Sequence, residues 1–200
     1  MLCAGLDIGR VTDRTALVVM DNDVVTEAHI VPSVTFREQA AVLEPLMTRL
    51  DLVAVDGTGM GLGLLELLRS MGLPVVDIII GGGNAAPRII RDGGGNKRAV
   101  RAISVGNIHL LGRLLGLVHA REITVAPWCC NRDELKAELG LMSASFTKRG
   151  GLSIQARSGH DDLALALSLA TLARDLAEQL LSRGDGDGAQ DQGADAATGR

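Results

Sequence analysis

Three short β-rich runs open this chain with almost no space between them, and that arrangement restricts the fold more than any other feature. Leu2 to Gly9, Thr15 to Met20 and Val24 to Ile30 are apolar or β-branched, and Asn22, between Asp21 and Asp23, marks a tight turn joining the second run to the third. A three-stranded meander is expected. Helical and strand-like patterns then alternate. Thr35 can cap a helix carrying Ala40, Leu43, Met47 and Leu50, with Pro45 as a kink or a frayed end. Leu52 to Val55 reads as a buried strand, Leu64 to Leu68 as a helix ending near Gly72, and Val75 to Ile80 as a further strand after Pro74. Gly81 to Gly95 reads as a loop, followed by a long helix from Asn96 through Ile103, Ile108, Leu111, Leu115 and Val118. A short strand at Ile123 to Val125, a helix from Asp133 to Leu141 and a hairpin pairing Met142–Thr147 with Leu152–Ala156 come next. A helix starting at Ser158–His160 and running toward Leu180 ends the pattern. A meander followed by alternating helices and strands predicts a mixed sheet covered by helices on both faces.

The 200 residues are 46% hydrophobic and 22% charged, enough apolar material for one domain with an ordinary core. From Ser182 onward the chain is Gly, Ala, Asp and Gln without apolar periodicity, so a domain over 1–181 and a disordered tail over 182–200 are expected. With Trp128, Phe36 and Phe146 as its only aromatics, the chain is unsuited to stacking bases on aromatic platforms. Cys3, Cys129 and Cys130 form neither a disulfide framework nor a CxxC zinc site, which suits a reducing compartment. No apolar run approaches the roughly 20 residues of a membrane span, and a cytoplasmic protein is expected.

The formal charge is −4. Setting aside the tail's two arginines and four aspartates leaves a body at −2. Within that body Arg88, Arg91, Lys97, Arg98 and Arg101 cluster against Asp92 alone, and Lys148 with Arg149 occupy the expected hairpin tip. These cations are either a solvated surface or phosphate contacts, since charge neutralisation supplies most non-specific affinity for DNA.

Asp7 ends the apolar run LCAGLDIG and Asp56 ends LVAVDG, places where a carboxylate is expensive unless paired or bound to a cation. Asp161 and Asp162 fall in the first turn of the last helix, where the helix dipole favours negative charge. Each acid by itself reads first as a turn or capping residue. If the first strand lies beside Leu52–Val55 and the last helix crosses both, the acids meet at one edge. Such an oxygen-only set suits Mg²⁺ or Mn²⁺, and two ions about 3.5–4 Å apart would serve phosphodiester cleavage. His160 is a secondary candidate for orienting a carboxylate or a water.

In order, DIGRVTDRTALVV, VAVDGTGMG, NKRAVRAISVGNIHLLGRL and SGHDDLALALSLA resemble the C-terminal nuclease domain of phage terminase large subunits, from Leu2 to about Leu181. The resemblance implies an α/β, ribonuclease H-like fold with a mixed five-stranded sheet, helices on both faces and a β-hairpin before the last helix. It further implies a Mg²⁺- or Mn²⁺-dependent endonuclease that cuts double-stranded DNA with two ions during genome packaging. Asp7, Asp56 and either Asp161 or Asp162 match the family's catalytic and metal-binding acids, with Asp162 preferred, and Asp13 matches a position that approaches a metal in some members. No GxxxxGK[ST] phosphate loop is present, so no ATPase motor is expected in this chain. The resemblance therefore points to a phage or prophage nuclease, with a separate packaging ATPase, portal or small terminase subunit as its partners. A Holliday-junction resolvase shares the same carboxylate logic. The DxG start also resembles the nucleotide-binding actin, Hsp70 and sugar-kinase fold, although only one lobe is legible. An inactive remnant that only binds DNA or a partner is the remaining alternative.

Overall fold

A computed structural model describes residues 1–9, 14–32, 34–91, 100–146, 152–156 and 160–184. Strands β1 (Leu2–Asp7), β2 (Thr15–Asp21) and β3 (Val24–Val31) form the meander, with both pairings antiparallel. Asn22 turns the β2–β3 corner at φ 51°, a conformation that asparagine tolerates better than most residues. Helix α1 (Phe36–Met47) starts at a capping box in which Thr35 and Glu38 satisfy each other's backbone amides, and it continues two residues past Pro45. β4 (Leu52–Asp56), α2 (Leu62–Ser70) and β5 (Val75–Gly81) follow, with β4 parallel to both β1 and β5.

The next stretch departs from the sequence reading. The segment expected to be a loop contains the strand β6 (Arg88–Arg91), and the helix expected from Asn96 is, from residue 100, the strand β7 (Val100–Gly106) followed by α3 (Asn107–His119). β7 lies parallel to β5 and antiparallel to β6. Ile103 and Val105 alternate onto one face of the sheet, a period of two that was mistaken for part of the helical pattern beyond it. Helix α3 begins where the chain packs tightly: a Cβ on Gly106 would lie 2.3 Å from the Gly83 carbonyl oxygen. The Gly106 amide donates to Ala85 O at 2.8 Å and the Ile108 amide to Gly83 O at 3.0 Å, so the Gly83–Ala85 carbonyls satisfy the helix's leading amides.

β8 (Thr124–Val125) pairs parallel to β3, and α4 (Arg132–Leu141) leads into the hairpin β9 (Met142–Phe146) and β10 (Leu152–Ala156), a separate two-stranded sheet against α3. α5 (Asp162–Gly184) closes the fold, reaching slightly past the expected start of the tail. Among the described residues the main sheet has eight strands in the order β6-β7-β5-β4-β1-β2-β3-β8, not the expected five. The additional strands extend its edges, while β4-β1-β2-β3 holds the expected centre. One face packs Leu6, Val53 and Val55 against α1 and α2, and the other packs Cys3, Ala16, Val18 and Ala54 beneath α3, α4 and α5. None of the described helices is long and apolar enough to cross a membrane.

Candidate metal centre

Gly5 determines how α5 meets the sheet. A Cβ there would stand 2.0 Å from the Ala166 carbonyl oxygen and 2.4 Å from the Ala170 nitrogen, so only glycine lets the helix backbone lie directly on β1. Cys3 packs with Leu172, Ala173 and Ala177, farther along α5, so helix and strand run antiparallel. Asp7 lies two residues beyond Gly5 on the same face of β1, toward the helix N-terminus and Asp162.

Asp56 reaches this edge from the neighbouring strand. β1 and β4 are paired in parallel through Leu6 and Val55, so the next residue of each, Asp7 and Asp56, leaves the ladder side by side about 4.8 Å apart along the backbone. Asp7 is buried. Asp56 Oδ1 accepts the Thr58 amide at 2.9 Å, a strand-end turn of the kind considered from the sequence, and the chain folds back so closely that a Cβ on Gly61 would come 2.7 Å from the Asp56 carbonyl oxygen. On the far side of Asp7, Thr15 Oγ1 accepts the Gly9 amide at 3.1 Å and donates to Gln39 Oε1 at 3.1 Å, pinning the exit of β1.

The third acid is held by residues the sequence reading did not select. Arg14 Nε donates to Asp162 Oδ2 at 3.1 Å, its Nη2 donates to Glu138 Oε1 at 3.0 Å, and its Nη1 contacts Glu134. Glu138 also accepts the Ala164 amide at 3.0 Å, so α4 supplies a cap for the start of α5. Burial pushes the Glu138 carboxyl above its ordinary value, outweighing the Ala164 amide and Arg14. His160 Nδ1 stands 3.4 Å from Asp162 Oδ2. Glu134 and Glu138, four apart on α4, share a helix face, and that spacing was the available signal for the pair. Asp77, buried within the apolar run of β5, was also overlooked, although the reasoning applied to Asp7 and Asp56 covers it. It lies on the opposite face, against Gly57 and α2.

The structure thus brings Asp7, Asp56 and Asp162 to one edge of the sheet, with Asp161 beside them where α5 begins. Oxygen donors of this kind suit a hard divalent ion. Among the described residues, however, no group of three or more His, Cys, Asp or Glu side chains is close enough to hold a metal. Asp13 lies outside the described residues.

The candidate DNA contacts are placed less completely. Arg88 is exposed on the edge strand β6, three strands and roughly 14 Å across the sheet from β4. Arg91 and Arg101 lie on β6 and β7, toward the opposite end of those strands from Arg88. Lys97, Arg98, Lys148 and Arg149 lie outside the described residues. A cavity of about 510 Å³, lined in part by Ile103, Leu110, Arg113 and Asp175, sits against the second half of α5, away from the acids.

Solved structures with this architecture identify the fold. The large terminase nuclease from thermophilic phage G20c, with bound cobalt, superposes at a TM-score of 0.62 with 20% identity, over 85% of this chain and 79% of that one. The large terminase nuclease domain of Thermus phage P74-26 gives 0.58 and 19%, over 85% and 77%. A mutant nuclease domain of the large terminase subunit gp2 of bacterial virus Sf6, with manganese, gives 0.60 and 14%, over 84% and 87%. The chain has the large-terminase nuclease fold. It is ribonuclease H-like, as the sequence resemblance implied. Neither a known protein family nor a curated protein matches the sequence. In this fold the first strand, the parallel strand beside it and the last helix present Asp7, Asp56 and Asp162 at a single edge.

Proposed function

We propose that this chain is a Mg²⁺- or Mn²⁺-dependent endonuclease that cuts double-stranded DNA by a two-metal mechanism, in the manner of a terminase nuclease. The observation carrying this reading is the side-by-side exit of Asp7 and Asp56 from parallel strands beneath the start of α5. Asp7 and Asp56 would hold the ions, with Asp162 or Asp161 completing the set from the helix. Asp13 is a further candidate ligand. When bound, the ions supply an activated water and charge stabilisation at the leaving oxygen. The protein's own contribution is placement: Gly5 seats α5, the Thr58 amide orients Asp56, and the Thr15–Gln39 contact fixes the chain after Asp7. His160, beside Asp162, orients that carboxylate.

DNA approaches this edge as a polyanion. Arg88, Arg91, Lys97, Arg98 and Arg101, with Lys148 and Arg149 on the hairpin connection, contact its phosphates without reading bases. The cytoplasm of a phage-infected or prophage-bearing bacterium is the setting for such cutting. A separate packaging ATPase, a portal or a small terminase subunit is the natural partner there.

Plasmid cleavage with Mn²⁺ tests the reading. Asp7→Asn and Asp56→Asn should abolish cutting while the circular dichroism spectrum is retained, and EDTA should abolish cutting by the wild type. Undiminished cleavage by both variants refutes the assignment. Arg14's hold on Asp162 favours one second reading, a DNA-binding module without catalysis. Its signature is salt-sensitive DNA affinity with no metal-dependent cutting.

A further inference from the structure

Arg14 stands just before β2, and its single positive charge is shared among three acids from α4 and α5. Two of them, Glu138 and Asp162, are buried, so water screens their interaction with the guanidinium poorly. The contact to Asp162 is direct, Nε to Oδ2 at 3.1 Å. An ion gathered by Asp7, Asp56 and Asp162 would therefore meet the charge of Arg14 across a shared carboxylate. Cations that share one anion repel, and each weakens the hold of the other.

We propose that Arg14 is the built-in counter-ion of Asp162, competing with a divalent ion for that carboxylate and thereby setting how tightly the centre loads. The inference rests on the assignment of Asp7, Asp56 and Asp162 as ligands. Arg14 acts through Asp162 and is a positioning residue, not a catalytic one. Its reach to Glu138 and Glu134 gives the guanidinium a place to stay when Asp162 turns to an ion. The exchange needs no unfolding of α4 or α5.

The test is Mn²⁺ binding to the full chain in the absence of DNA, followed by the paramagnetic resonance signal of free Mn²⁺, so that no cleavage enters the readout. Arg14→Gln should tighten binding at least about tenfold, because a nearby like charge is removed. Arg14→Lys keeps a cation beside Asp162 and should stay within about threefold of the wild type. Unchanged or weaker binding in Arg14→Gln overturns the proposal. Loss of its counter-ion at buried Glu138 can unfold the single variant, so Arg14→Gln/Glu138→Gln is measured as well. That double variant keeps an oxygen acceptor for the Ala164 amide and should bind Mn²⁺ at least about tenfold more tightly than Glu138→Gln alone, and its failure to do so counts equally against the idea. Asp7→Asn separates the two layers of the argument. If it leaves wild-type Mn²⁺ binding intact, the ligand assignment fails. If binding depends on Asp7 and Arg14→Gln does not tighten it, only the counter-ion role fails. Tight binding in Arg14→Gln that survives Asp7→Asn belongs to the acids around Arg14 themselves, and also overturns the proposal.

Discussion

Helix α5 carries a charged cluster near each end of its buried half, and the two differ in charge balance. At the N-terminal end Arg14 faces Glu134, Glu138 and Asp162, with Asp7 and Asp56 at the adjacent strand ends. About 20 Å along the helix, Arg174 contacts Asp23 and Asp175, while Arg113 contacts Asp175 and donates to Thr171 Oγ1 at 2.8 Å. Among the described residues two cations meet two anions there, and the charges balance. Among the described residues the other cluster has one cation for three acids before the strand-end aspartates are counted. A neutral network can be retained for stability alone, whereas an excess of carboxylates is the imbalance that a bound cation would offset. The same helix anchors the fold at one end and, on the function proposed above, faces the cation site at the other.

The largest expected effect breaks the comparison by function. Loss of a group that only supports a metal ligand typically costs about 10–100-fold, so Asp7→Asn or Asp56→Asn should lower Mn²⁺-supported plasmid cleavage by at least about 100-fold. Arg174→Met, at the balanced end, should leave cleavage within about twofold when measured well below its melting temperature. Gly5→Val comes next. Its side chain would overlap the α5 backbone, so urea unfolding should show a loss of about 3 kcal/mol or more, with Mn²⁺ affinity falling in whatever fraction remains folded. Arg174→Met itself should lose about 2 kcal/mol, because Arg174 is 8% exposed while its partner Asp23 is open to solvent and relaxes into water.

The smallest effect sharpens the contrast through pH. Burial raises the Glu138 carboxyl above its ordinary 4.5 in the native state. Between 4.5 and the raised value the folded protein holds more of this proton than the unfolded chain. The resulting stabilisation is complete below the unfolded value and is lost as pH rises through the folded one. Glu138→Gln lacks that loss, so its stability relative to wild type should climb as pH is raised from 4.5 toward neutrality and then level off. A flat or falling difference in urea midpoints across that range would show that Arg14 and the Ala164 amide outweigh burial.

The legible parts of the molecule are those whose signals are local. The β2–β3 turn at Asn22, the capping box at Thr35, the hairpin before α5 and the apolar stripe of α5 all stand where their residues predict. Arg88–Arg91 and Val100–Gly106 were misread because each becomes a strand only through a neighbour: β7 completes the open side of β5, and β6 completes that of β7. Cys130 is exposed and donates through Sγ to the Ala28 carbonyl oxygen at 3.0 Å, a contact across 102 residues of sequence that no local pattern announces. Of the candidate centre, Asp7, Asp56 and Asp162 were visible as carboxylates at the ends of apolar or helical runs. Arg14 was not, since nothing local distinguishes it from a solvated surface, and Glu134 and Glu138 offered only their four-residue spacing on one helix face.

The sequence by itself determined which elements form around the centre and which acids terminate them, because strand alternation, turn chemistry and helix periodicity act between residues close along the chain. Only the tertiary structure decided that α5 lies flat on β1 at Gly5 and that Arg14 reaches Asp162 across 148 positions of sequence. Those outcomes depend on backbone approach and on charge pairing in a shielded interior. Both are properties of distance in space, which the order of residues does not encode locally.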